Sequence, residues 1–259
     1  MIDLQKAKEA FDVYTSAYDP SIPEIRLKLV HTYEVVSCME TLCARMQLSR
    51  EDSDLACLIA LLHDIGRFEQ WIRYQSFVDY ETVDHAQFSS DLLFRDGLIR
   101  RFLDTQRYDT ILAAAIEQHN KYQVAPGYDE RTLLFIYLIR DADKLDNYRV
   151  KEEESIETLL GVSAKEANCS TISPAVYDQM DRQELIYSPN RETPLDVWLS
   201  YGAYTFDLHF PESLQYLKEN HWIERIFGRL SPTDPATHRQ YEHLKARTQE
   251  YIEVRCSSY

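Results

Sequence analysis

Capping residues followed directly by proline recur in the C-terminal half of the chain, at Ser173-Pro174, Thr193-Pro194 and Asp234-Pro235. Proline suits the first turn of an α-helix, because its missing N–H is not needed there and its φ angle is already helical. The whole sequence contains only 6 glycines and 9 prolines, which disfavours a turn-rich β-sandwich or barrel. The sequence therefore predicts an all-α fold.

Apolar periodicity and helix start signals give approximate helix positions. We expect helices over residues 3–18, 25–47, 50–63, 67–76, 84–95, 108–119 and 130–149, followed by five more up to the C-terminus. Ser49 with Asp52 and Ser163 with Glu166 have the spacing of capping boxes. Phe77–Val83 alternates in a way that predicts a short extended segment. A polar stretch after residue 150 predicts a core over 1–150 and, packed on it, a C-terminal helical extension over 151–259, which together form either two domains or one.

Acidic residues outnumber basic ones, with 43 Asp and Glu against 28 Lys and Arg and a formal net charge of -15. This charge repels phosphate backbones and anionic lipids, so we expect neither nucleic acid nor membrane as a partner. No apolar leader and no run of about 20 apolar residues is present, which predicts a soluble, unprocessed chain. The five cysteines form no CxxC pair, so a reducing cytoplasm fits best. The sequence makes no prediction of oligomeric state.

A histidine and an aspartate end the most apolar helix predicted from the sequence. The run LACLIALLHDIG places His63 and Asp64 where a buried helix stops. A carboxylate is costly there unless a cation or hydrogen bonds meet it, so we expect a positive group beside it. Further metal-ligand residue types lie at His31, His85 and His119 and in the run RDADKLDNY.

The ordered pattern of His31, His63-Asp64 and an aspartate in DADKLDNY resembles the HD superfamily of metal-dependent phosphohydrolases, and LLHDIGR is its most diagnostic piece. The resemblance implies an all-helical core over about residues 25–150, in which these residues converge on a divalent metal ion. Asp141 and Asp143 lie about 200° apart around a helix, so they cannot face the same ion. In the similar motifs LADRLHN and ADvyDAL the liganding aspartate follows an alanine, which implies Asp143 as the ligand.

His85 and His119 occupy the order of the two further histidines of HD families that bind a second metal ion. The resemblance therefore implies either two ions that share Asp64, or one ion with such a histidine acting only as an outer hydrogen-bond donor. Imidazole and carboxylate ligands suit Fe, Mn, Co, Ni or Zn better than Mg.

Cations near the predicted metal ligands indicate an anionic small-molecule substrate. Arg67 stands where the HDIGK motif of related families has a phosphate-binding lysine, and Lys121 follows His119 closely. The expected chemistry is attack by a metal-activated water on a phosphoester, with Asp64 as ligand and proton acceptor. Three polar residues near Asp143 have two possible roles, substrate contact or a structural role. They are Arg140, Lys144 and Asn147.

The sequence favours one function over two alternatives. The resemblance implies a phosphohydrolase or phosphodiesterase that acts on a small, nucleotide-like phosphoester. One alternative is a diiron oxygenase that resembles inositol oxygenase, whose ligand order is the same, and the other is a non-catalytic metal or ligand sensor. The HDxxED and GYP motifs of two named subfamilies are absent from the corresponding positions, so the substrate stays open.

Overall fold

The computed structural model describes residues 2–257, which form helices and turns and contain no β-strand. The predicted all-α fold is confirmed. None of the helices in this part of the chain is long and apolar enough to cross a membrane. The chain divides into two compact units whose boundary lies between Asp143 and Lys144, inside one long helix. The domain boundary predicted after residue 150 lies farther along the same helix.

Seven α-helices begin in the first unit, close to the predicted positions. They are α1 Leu4–Thr15, α2 Pro23–Arg45, α3 Arg50–Leu62, α4 Gly66–Tyr74, α5 His85–Ser90, α6 Asp109–Gln118 and α7 Glu130–Glu153. A π-helical turn, Asp91–Arg95, continues α5. The predicted cap of α3 is present, since the Ser49 side chain accepts a hydrogen bond from the Asp52 backbone N–H.

The extended segment predicted over Phe77–Val83 is wrong. This part of the chain contains a 3₁₀ turn, Asp79–Glu81, and it has no strand to pair with among the described residues. The alternation came from Asp79 and Glu81, and Asp79 turns inward to contact Arg67 and His85. The alternation in this segment therefore reflects the tertiary contacts of Asp79, and it does not indicate a strand.

The second unit contains more helices than the five predicted. After α7, the described residues form α8 Ile156–Leu160, α9 Ala164–Cys169, α10 Pro174–Asp181, α11 Pro194–Ala203, α12 Pro211–Glu219, α13 Trp222–Phe227 and α14 Pro235–Ser257. Left-handed residues cause the additional breaks. Gly161 ends α8 with φ 69°, and His221 separates α12 from α13 with φ 53°. The capping box of Ser163 and Glu166 is present.

Helix α3 is the centre of the first unit. Leu55, Leu58 and Ile59 are fully buried, and α3 packs along α2 and touches α1 and α6. A helix that is apolar on all sides needs neighbours all round it. Its C-terminal end, with His63, therefore lies in the interior of this unit rather than at the surface.

A buried carboxylate joins two helix starts in the second unit. Asp196 is fully buried and accepts hydrogen bonds from the backbone N–H of Ser173 at 2.9 Å, Glu192 at 2.9 Å and Thr193 at 3.0 Å. The Ser173 hydroxyl donates to Asp196 at 2.6 Å and does not cap α10, in which respect Ser173-Pro174 differs from a standard helix start. Asp196 also completes a capping box with Thr193 at the start of α11.

We expect Asp196→Ala to destabilise the protein strongly. The substitution leaves buried N–H and O–H donors without an acceptor, and it lowers the free energy of unfolding by about 3 kcal/mol. Urea denaturation of the full chain, followed by circular dichroism, measures this change. Asp178→Ala is the matched control, because Asp178 is an exposed aspartate on α10. A loss as small as that of the control would contradict the structural role of Asp196.

Candidate metal centre

The end of α3 presents two buried polar atoms that have no hydrogen-bond partner. His63 directs its Nδ1 to the carbonyl oxygen of Ala60 at 2.8 Å, which assigns the proton to Nδ1 and leaves a lone pair on Nε2. Neither His63 Nε2 nor Asp64 Oδ1 has a partner, and both residues are buried. Buried polar atoms are rarely left unsatisfied in a folded protein, so these two atoms point to a ligand.

A first group of donors surrounds Asp64 Oδ2 and comes from α2, the end of α3 and α7. His31 Nε2 lies 3.1 Å from Asp143 Oδ1 and 3.8 Å from Asp64 Oδ2. His63 Nε2 lies 3.7 Å from Asp64 Oδ2 and 3.9 Å from Asp143 Oδ1. Three of the four residues predicted from the HD pattern, His31, His63 and Asp64, form a group that could hold a metal ion, and Asp143 lies beside the two histidines.

A second group of donors surrounds the other oxygen of Asp64. His85 Nε2 lies 3.5 Å and His119 Nε2 3.8 Å from Asp64 Oδ1, and the two ring nitrogens are 3.0 Å apart. Two ring nitrogens at this distance need a shared proton or cation between them. Asp64 thus has one oxygen facing each group, as a carboxylate that bridges two ions would.

Outer contacts fix the orientation of the second group. His119 Nδ1 lies 2.6 Å from the carbonyl oxygen of Ile116, and His85 Nδ1 lies 2.5 Å from Asp79 Oδ2. Such contacts hold an imidazole with its other nitrogen directed at a metal ion and make that nitrogen more basic. Sequence analysis missed Asp79, because the alternation of its segment suggested a strand.

The electrostatics of the cluster favour the protonation state that metal binding requires. Burial lowers the pKa of His63, and burial together with His85 and His63 lowers the pKa of His119 to about 3. Burial alone would raise the pKa of Asp64, but Lys28, His63 and His85 outweigh it and hold that pKa well below its usual range. The hydrogen bond and charge of His31 likewise overcome burial and lower the pKa of Asp143. Neutral imidazoles and ionised carboxylates are the forms that bind metal ions.

Lys28 is a residue of the site that sequence analysis missed. Its Nζ lies 2.7 Å from Asp64 Oδ2, and its side chain is only 16% exposed. Lys28 stands one helical turn before His31, so the two side chains share one face of α2. That spacing was the available signal, but a lysine one turn from a histidine is too common to identify a site by itself.

Arg67 lies beside Asp64, and the sequence predicted a cation near the metal ligands at this position. Its Nε is buried without a hydrogen-bond partner and lies 3.7 Å from Asp64 Oδ1. One terminal nitrogen is held by Gln70 Oε1 at 2.8 Å and Asp79 Oδ1 at 2.9 Å. The Phe77 ring lies 5.4 Å from the Arg67 guanidinium and 5.7 Å from Lys28 Nζ, so one aromatic ring lies beside both cations.

The remaining predicted cations are engaged elsewhere. Lys121 forms an ion pair with Asp84, the residue that precedes His85, so it lies beside the second donor group without contacting Asp64. One nitrogen of Arg140 donates to the carbonyl oxygens of Gln118 at 2.9 Å and Lys121 at 2.6 Å, beyond the end of α6. Arg140 therefore has a capping role at that helix end.

Two further polar residues of the DADKLDNY run have partners within the second unit. Lys144 pairs with Asp207 at 2.8 Å, and Lys151 Nζ lies 3.5 Å from Asn147 Oδ1. The nearby Asp146 pairs with Arg149 at 2.6 Å. These contacts give Lys144, Asn147 and Asp146 structural roles in α7.

Comparison with known proteins finds one family over these residues. The family model for the HD domain matches residues 29–148, a range that contains all six predicted ligands from His31 to Asp143. Searches of curated proteins and of solved structures gave no significant match. The histidine–aspartate order, the helical fold and the family match together identify residues 29–148 of this chain as an HD domain.

Proposed function

We propose that this protein is a phosphohydrolase that uses two divalent metal ions and acts on a small anionic phosphoester. The observation that carries the proposal is the position of Asp64, whose two oxygens face two separate groups of buried donors. Members of the HD family are mostly metal-dependent hydrolases, which supports the reaction class.

The donor set fits the proposed ions. His31, His63, Asp64 and Asp143 would hold one ion, and Asp64, His85 and His119 would hold the other. The unpartnered His63 Nε2 and Asp64 Oδ1 are directed at these positions. Because the ligands are imidazole and carboxylate groups, Mn, Fe, Co, Ni or Zn fits better than Mg.

The charges around Asp64 suit an anionic substrate. A divalent ion held by these residues would supply Lewis acidity toward a phosphoryl oxygen and a water molecule. Lys28 and Arg67 would donate hydrogen bonds to the phosphoryl oxygens and stabilise the charge that develops on them. Asp64 would accept the proton of the attacking water in addition to its role as a ligand; its lowered pKa keeps it ionised and makes it a weak base. For Lys121 we propose a weaker, outer role, since Asp84 holds its ammonium group.

Phosphate release tests the proposal. Protein loaded separately with Mn and Fe is assayed with nucleotides, cyclic nucleotides and sugar phosphates, with Asp143→Ala as the inactive control and Asp178→Ala as the matched surface control. Turnover in the wild type and in Asp178→Ala, but not in Asp143→Ala, would support a hydrolase.

The same cluster of four histidines and two carboxylates also suits a diiron oxygenase. If no phosphoester is hydrolysed, oxygen uptake by the iron-loaded protein with organic substrates would support that second function instead. Absence of turnover in both assays would favour a metal or ligand sensor.

We expect Lys28→Ala to lower kcat/KM for phosphate release by about 100-fold, since it removes a charge-assisted contact that strengthens in the transition state. Lys28→Arg should retain part of the activity because it keeps the charge. Lys8→Ala is the control, because the half-buried Lys8 pairs with Glu40 at 3.3 Å. Metal content is measured in parallel. An unchanged kcat/KM in Lys28→Ala with full metal content would contradict the proposed phosphate contact.

A further inference from the structure

A second cleft lies in the first unit, away from the Asp64 cluster. It has a volume of about 460 Å³ and lies between the C-terminal end of α1, the outer face of α4 and the segment that follows the π-helical turn. Its main polar and aromatic side chains are Tyr14, Tyr18, Glu69, Arg73, Asp96 and Arg101. None of the six candidate metal ligands lines it. Its volume falls within the usual range of small-molecule sites, about 300 to 1,000 Å³.

Among the described residues, one cation at this cleft has no ion-pair partner. Glu69 pairs with Arg73 at 2.7 Å, and Arg95 is shared between Asp96 at 3.1 Å and Asp91 at 2.6 Å. Arg101 is exposed and forms no ion pair with the residues that the structure describes. An unpaired guanidinium at the edge of a cleft presents planar donors that match a carboxylate or a phosphate.

Two aromatic rings line the same cleft. The rings of Tyr14 and Tyr18 are 5.5 Å apart, and Phe68 lies behind Tyr18 at 5.4 Å. The Tyr18 hydroxyl lies 2.9 Å from that of Tyr14 and 3.4 Å from Glu69 Oε2, which fixes both rings. Rigid tyrosines of this kind give a flat ligand a contact surface at little entropic cost.

We propose that this cleft binds a small aromatic anion of about the size of a nucleoside monophosphate. Its anionic group contacts Arg101, and its ring lies against Tyr14 and Tyr18. The inference does not rest on the proposed hydrolase function, since it concerns binding alone. Helix α4 is shared by the two sites, because Arg67 faces Asp64 while Glu69 and Arg73 face the cleft.

Titration calorimetry of the full-length, metal-loaded protein with AMP tests this proposal. We expect AMP to bind at least tenfold more tightly than adenosine or inorganic phosphate, because only AMP has both the ring and the charge. Arg101→Ala and Arg101→Glu should each weaken AMP binding at least tenfold. Arg107→Ala, which removes an exposed arginine paired with Glu51, should leave it unchanged.

Asp64→Ala separates the cleft from the metal centre. AMP binding that persists in Asp64→Ala and falls in Arg101→Ala supports the cleft, whether or not the protein hydrolyses any substrate. Binding that persists in Arg101→Ala and disappears in Asp64→Ala would place AMP at the metal centre and overturn the proposal. No detectable binding of AMP to the wild type would overturn it as well.

Discussion

Asp64→Ala is expected to remove both metal ions from the protein and to abolish its hydrolase activity. Each oxygen of Asp64 faces one donor group, so the substitution takes a ligand from both positions at once. Metal analysis after dialysis should show a fall from about two ions per chain to almost none. Because metal ions contribute several kcal/mol to stabilisation of the transition state, phosphate release should fall by about 1,000-fold or more.

His119→Ala provides the informative comparison. His119 belongs to the second donor group, so this variant should retain about one ion per chain. The contrast between loss of one ion and loss of two tests whether Asp64 is shared. Equal metal contents in the two variants would show that the carboxylate does not bridge, and the two-metal part of the proposed function would then fail.

Much of the fold was predictable because the signals for it are local. Caps, proline at helix starts and the apolar run that ends at Leu62 depend on residues a few positions apart, and most helices of the first unit begin within a few residues of the predicted positions. The breaks at Gly161 and His221 were harder to predict. A histidine in the left-handed region gives no reliable signal in the sequence, so α12 and α13 could not be separated beforehand.

The candidate site was predictable to the extent that its residues follow a known order. His31, His63, Asp64 and Asp143 were placed together by resemblance, and in the structure their side chains lie close to one another. Lys28 was not predicted, because its contact with Asp64 joins two residues that are 36 positions apart in the chain.

Asp79 was also not predicted, because its role depends on tertiary contacts. It contacts Arg67 and His85 through a loop whose path depends on the packing of α4 and α5. Such long-range contacts between common residue types leave no periodic or motif signal in one sequence.

The second large effect expected is a metal-dependent rise in thermal stability. Without an ion, the centre holds buried atoms that lack partners, His63 Nε2 and Asp64 Oδ1, which is an unfavourable state. An ion that binds only the folded chain stabilises it by about 4 kcal/mol when its concentration is about 1,000 times the Kd. For a chain of this length that corresponds to a rise in Tm of about 10 °C, measurable by calorimetry with Mn added after EDTA treatment.

The two compact units supply an internal control for this measurement. All six candidate ligands lie in the unit that ends at Asp143, so Mn should raise the unfolding temperature of that unit directly. If the units unfold in separate transitions, the transition of the second unit should stay where it is. In Asp64→Ala the rise should disappear. A rise of equal size in that variant would mean that Mn stabilises the protein from another site, because Asp64 is the ligand that both proposed ions share.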